Sequence, residues 1–171
     1  GGVGTDFAGA GVLTLSTADP NIVGGDVLGI INFQAPKEGD GTDGILPAAA
    51  IWCEADTTFA ADANKGELVF ATGQSETAIA YANERMRIDF AGNVGIGTSS
   101  PLAHLHIADD TSAELIIEDT NNTSTRKIIK QVMAGDKFYF QGRNDDDTGA
   151  GAGGDIMVFD MSNGNVGIGT N

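Results

Sequence analysis

The stretch GNVGIGT, Gly92–Thr98, returns letter for letter as Gly164–Thr170, a spacing of 164 − 92 = 72 residues. A degraded echo, GVGT, stands at Gly2–Thr5, so the chain reads as an excerpt from a repeating object. Val94 and Ile96 alternate with Gly95 and Gly97, which is strand periodicity with one face bare of side chains. Glycine weakens a strand, so Gly95 and Gly97, like Gly167 and Gly169, are expected where another backbone approaches closely. Gly92 and Asn93, matched by Gly164 and Asn165, supply turn chemistry ahead of the strand. A phosphate-binding glycine loop would need a helix after it and usually a lysine, and Ser99-Ser100-Pro101 offers neither.

Working outward, Leu13 and Leu15 alternate with polar neighbours as a short expected strand. Val27, Gly29, Ile31 and Phe33 share one face of the next, while Leu28 and Ile30 make its opposite face apolar too. Residues 36–44 read as a loop, Ala48–Glu54 and Glu67–Thr72 as strands. Between Glu76 and Arg87, the helical spacing of Ile79, Ala82 and Met86 competes with the strand alternation of Arg85, Arg87 and Asp89, and strand is preferred from Arg85 onward. The second unit replays the first: Leu115–Ile117 answers Leu13–Leu15, Ile128–Lys130 answers Ile30–Asn32, Lys137–Phe140 answers Glu67–Phe70, and Ile156–Asp160 answers Met86–Phe90. On this reading Ala48–Glu54 has no counterpart. PLAHLHI, Pro101–Ile107, is a connecting strand. The reading is all-β, with a first repeat unit over 1–98 and a shorter second over 99–171, each closing on GNVGIGT. Units of this size are near the lower limit for an independent core, and strands apolar on both faces call for burial against other chains.

Among 171 residues, 24 are acidic and 9 basic, a formal net charge of −15. Such a chain repels nucleic-acid phosphate and anionic membrane surfaces, and no apolar run approaches the roughly 18 residues of a membrane span. Neither nucleic-acid binding nor membrane insertion is expected. The first residue is not Met, which suits an internal fragment or a processed product. Cys53 is the single cysteine, so an intrachain disulfide is excluded. Ile51 and Trp52 beside it suggest an inert buried thiol, with a bridge between copies as the alternative.

Candidate chemistry is thin. Asp145, Asp146, Asp147 and Asp155 lie among glycines, the composition of a solvated loop rather than of a carboxylate pair across a cleft. Counted from Asp145, an EF-hand would place glycine and glutamate where Ala150 and Ile156 stand. No cofactor is expected beyond an adventitious divalent cation. His104 and His106 share a strand face and are the low-ranking metal candidates: three copies about an axis would present six imidazoles. Turning Leu105 and Ile107 inward is worth roughly 1.5–3 kcal/mol per side chain and is preferred. Trp52, Tyr81 and Tyr139 read as core rather than sugar-stacking residues. Arg85 and Arg87, and Arg126, Lys127 and Lys130, are expected to pair with carboxylates of a neighbouring chain or unit. No catalytic constellation is present in the sequence, and the expectation is a non-enzyme.

ERMRIDFAGNVGIGTSSPLAHLHI (Glu84–Ile107), with DVLGIINFQAP (Asp26–Pro36) and GELVFATG (Gly66–Gly73), resembles the repeat region of tail fibres and related appendages of tailed bacteriophages, often followed by a self-cleaving chaperone of the endosialidase type. The resemblance implies a fibre of short-strand units, built as an intertwined or side-by-side parallel homotrimer. It further implies an extracellular place in a virion tail appendage, where the chain would contact other tail proteins and support attachment to a host glycan or protein receptor. Two departures are that the chaperone is not in this sequence and that His104 stands where lysine is more usual. The alternative is a module of a bacterial or archaeal extracellular filament or adhesin.

Overall fold

The computed structural model describes residues 11–35, 46–74, 77–80, 83–118, 128–143 and 155–169. Apart from a 3-10 turn at Asn83, every regular element among them is a strand. In chain order these are β1 (Val27–Gln34), β2 (Pro47–Ala55), β3 (Gly66–Thr72), β4 (Glu84–Ile88), β5 (Val94–Ile96), β6 (Leu105–Ile107), β7 (Ala113–Glu118), β8 (Ile128–Ala134), β9 (Lys137–Arg143), β10 (Asp155–Asp160) and β11 (Asn165–Ile168). The first six form one sheet in the order β1-β2-β3-β4-β5-β6, the last five a second in the order β11-β10-β9-β8-β7. The sheets fall into two compact units, Gly1–His106 and Ile107–Asn171. The sequence boundary at 98/99 follows the motif; the division in the structure comes within β6, because that strand adds to the edge of the first sheet beyond β5.

Strands β1–β5 and β7–β11 each run as an antiparallel meander, and the two series correspond in order. This changes two sequence expectations. Leu13–Leu15 forms no strand; its backbone lies across β1 at Gly29, where an added Cβ would come within 3.0 Å of the Leu15 carbonyl oxygen. The Ala48–Glu54 strand does have a counterpart: β8 pairs with β9 as β2 pairs with β3, so Ile128–Lys130 takes the place of β2 rather than of β1. The strand reading at Arg85 holds, with β4 starting one residue earlier at Glu84. Of the competing segment, described residues 77–80 are not helical, and Asn83, whose amide donates to Ala80 O at 2.8 Å, closes a 3-10 turn directly before β4.

Alternation sorts the first sheet into two unlike faces. Ala50, Trp52, Val69 and Ala71 point to one side and, with Ala78 from the β3–β4 connection, make the core, in which Val69 is 0% exposed. On the other side, the cross-strand row Ile31–Ile51–Phe70–Met86–Ile96 runs the width of five strands, flanked by Cys53–Leu68–Ile88–Val94. Its members are half-buried or exposed, although almost all are apolar. The second sheet repeats the arrangement. Ile128 and Val132 are buried on one side, while Leu115–Gln131–Phe140–Met157–Ile168 and Ala113–Met133–Phe138–Phe159–Val166 form rows on the other. There Ile168 is 72% exposed. The Phe138 and Phe159 rings sit 6.0 Å apart, a cross-strand aromatic pair of the kind that fixes register.

Candidate functional site

The repeated motif builds the same hairpin twice. In the first copy Ile88 pairs with Val94, Arg87 with Gly95 and Met86 with Ile96; in the second Phe159 pairs with Val166, Val158 with Gly167 and Met157 with Ile168. The motif is offset by 72 and its partner strand by 71, so Ile156–Asp160 answers Arg85–Asp89, not Met86–Phe90. The extra residue is taken up in the turn, and the register survives.

One aspartate organises each turn. Asp89 Oδ1 accepts from the amides of Ala91 (2.9 Å) and Asn93 (2.8 Å), and Oδ2 from Asn93 Nδ2 (3.0 Å). Asp160 Oδ1 accepts from the amide of Ser162 at 3.0 Å and Oδ2 from Asn163 Nδ2 at 3.2 Å. Asn165 donates its own amide to Asn163 Oδ1 at 2.9 Å. For Asp89 desolvation pushes the pKa up, but the Asn93 and Ala91 donors outweigh it and hold the carboxyl below its usual range. Asp160 is also lowered, chiefly by the Ser162 hydroxyl. These aspartates allow Gly92 and Gly164 to take left-handed φ values of +84° and +74°.

The glycines within the motif act in different ways. A Cβ on Gly95 would strike the carbonyl oxygen of Thr98, so the close backbone expected there belongs to the same chain as it folds back. Gly97 and Gly169 carry φ values of +72° and +65°, and their amides donate to Arg85 O (3.1 Å) and Ile156 O (3.0 Å), closing each hairpin.

The histidines serve the same local structure. His104 Nδ1 lies 3.2 Å from Asn93 Oδ1. Asn93 spends its amide nitrogen on Asp89, so the ring nitrogen donates to the remaining oxygen. His106 Nδ1 accepts from the Leu102 amide at 3.3 Å. Leu105 stays exposed and Ile107 half-buried. Among the described residues no group of three or more His, Cys, Asp or Glu side chains is placed to hold a metal ion.

The most unusual constellation was hidden in the sequence. Strand parity puts Glu54, Glu67 and Arg87 on the core side of the first sheet, with Glu54 and Glu67 directly opposed on β2 and β3. Arg87 grips Glu84 with a two-pronged fork, Nε to Oε1 at 2.9 Å and NH2 to Oε2 at 2.7 Å. Its NH1 is shared between Glu54 Oε1, at 3.2 Å, and Glu67 Oε2. Trp52 Nε1 donates to the other Glu54 oxygen at 3.2 Å. The Arg87 side chain is 5% exposed, so three carboxylates surround one buried cation. The Glu84 fork foremost raises the guanidinium pKa further; burial pushes Glu67 up, against the pull of Arg87. A cavity of about 390 Å³ opens beside Glu54 and Glu67, with Asp56, Asp89 and Phe90 also on its wall.

Arg87 is therefore paired inside its own unit, and Arg85 donates to Thr72 Oγ1 and O, each at 3.0 Å. Lys130 likewise reaches Glu114 in its own unit at 2.7 Å. Arg126, Lys127, Tyr81 and Asp145–Asp147 lie outside the described residues, as does the Asp155 side chain. Trp52 belongs to the core, and Tyr139 is half-buried. Cys53 lies half-buried in the apolar face, its thiol pKa pushed up by burial and then by Glu54. A partial signal was present in the sequence, since Trp52 and Glu54, like Val69 and Glu67, occupy same-parity positions, but parity does not say which strands pair.

No protein-family model matches the chain, and comparison with curated protein sequences finds no match.

Proposed function

We propose that this chain is a non-enzymatic structural segment of a tail fibre or related appendage of a tailed bacteriophage, exposed outside the cell and supporting host attachment. In this reading it works as a parallel homotrimer, with other tail proteins and a host glycan or protein receptor as its further partners. The observation that carries the reading is the apolar face that both sheets expose: Ile31 and Ile96 in one unit answer Leu115 and Ile168 in the other, and Leu68 and Phe159 lie on the same faces between them. Monomeric soluble proteins rarely expose contiguous apolar surface of this kind, and a larger exposed patch marks an interaction site. Because the rows recur unit by unit, packing that satisfies one repeat satisfies the next, as a fibre requires. Phe138, Phe159 and Met133 continue the same face, so its chemistry is that of a protein interface core rather than a polar sugar-binding surface.

Immunogold electron microscopy of the source particles, with antibody raised against residues 84–107, tests the biological half. Label on projecting virion appendages is the expected result. Label on cell-surface filaments, or on no external structure, would overturn it.

A further inference from the structure

Directly opposed like charges destabilise a sheet unless something compensates them. In the first sheet the opposed pair is Glu54 and Glu67, and the compensating group is a single guanidinium nitrogen that both share. Arg87 Nε and NH2 each donate to Glu84. From the loop after β2, Asp56 faces the pair, and from the β4–β5 turn Asp89 adds another carboxylate on the same cavity wall. Ser99, Ser100, Pro101, Leu102 and Gly25 complete the wall without a charge. Lys65 sits with Nζ 4.3 Å from the centroid of the Phe90 ring. Carboxylates thus outnumber cations around a buried centre, and one proton relieves the excess more readily than any rotation of the packed strands.

We propose that the Glu54–Glu67 pair with Arg87 is a proton-operated latch, which takes up a proton in mild acid to tighten the first sheet and releases it toward neutral pH to loosen that sheet. Burial of Glu67 acts in the same direction, raising it above its ordinary value of 4.5. A carboxyl raised by folding binds more protons folded than unfolded between those two values, so stability falls as pH climbs through that window. The second unit has no such latch: Ala134 occupies the position of Glu54, Lys137 that of Glu67 and Val158 that of Arg87. It is the internal control.

Amide hydrogen exchange on the full chain, corrected for intrinsic rate, reads each unit separately. Between pH 7 and pH 5, protection of β2, β3 and β4 amides is expected to rise about threefold for a Glu67 carboxyl raised by one unit and about twentyfold for one raised by two, while β8, β9 and β10 change little. Glu67→Gln, which imitates the protonated acid, is expected to show at pH 7 the protection that the unaltered chain reaches at pH 5. Equal protection in β2–β4 at both pH values, or loss of protection in the variant at both, would overturn the latch. Carboxyl-carbon NMR titration of the unaltered chain decides the matter without any variant. A Glu67 carboxyl resonance titrating above 4.5 supports the latch, and one titrating at or below that value would overturn it.

Discussion

Gly95 shows how much a single residue decides here. Its strand partner is Arg87 on one side, and the Thr98 carbonyl fills the space where a side chain would begin. Gly95→Val should therefore destabilise the first unit by about 1–3 kcal/mol through overpacking, whereas Ser99→Val, on the exposed turn, should stay within about 0.5 kcal/mol; thermal unfolding of the two variants checks the contrast. The need for glycine was legible in the sequence. Its cause was not, because the bend at Gly97, with a φ of +72°, that returns Thr98 onto Gly95 leaves no periodic signal. Arg87→Met should cost more, about 3–5 kcal/mol, since three buried carboxylates would lose the counter-charge they share. Asp89 acts with the opposite sign to Glu67. Its folded pKa lies below the ordinary 3.8, so what it contributes is present above that value and is lost as pH falls through the folded one. In Asp89→Ala the acid limb of the unfolding curve, below 3.8, should become shallower.

At the scale of elements, the strands were readable where alternation was clean, as in β3, β4 and β9. Leu13–Leu15 alternates equally well yet pairs with nothing, because Leu15 presses across β1 at Gly29 instead of lying beside a neighbour's edge. The correspondence of β8 with β2 was obscured for a different reason. Trp52 and Val132 occupy equivalent places in the two registers, but tryptophan and valine, or Glu54 and Ala134, share no letter pattern. Pairing revealed what identity concealed. Trp52 joins β1, β2 and β3 through Ile30 and Val69, and its indole holds Glu54 as well. Trp52→Ala should cost about 3–5 kcal/mol, read as a lower midpoint in chemical denaturation.

For the whole molecule, a net charge of −15 and two uncovered apolar sheet faces make opposite demands. Charge keeps copies apart at long range and is screened beyond about 10 Å at 0.1 M salt. Apolar burial acts at contact and yields about 25 cal/mol per Å². Chains that meet along these faces satisfy both, with the carboxylates left toward water. The sequence made the two-sided apolarity of β1 plain, but not which side the chain itself would cover: Ala78 fills the inner face from a connection with no strand pattern of its own. The central claim is that the outer faces are assembly surfaces and that three chains share them. Sedimentation equilibrium of the protein isolated from its source assembly tests this most directly. Three chains per particle at micromolar concentration is the predicted result. A single chain that remains folded, and unfolds cooperatively at low concentration, would contradict it.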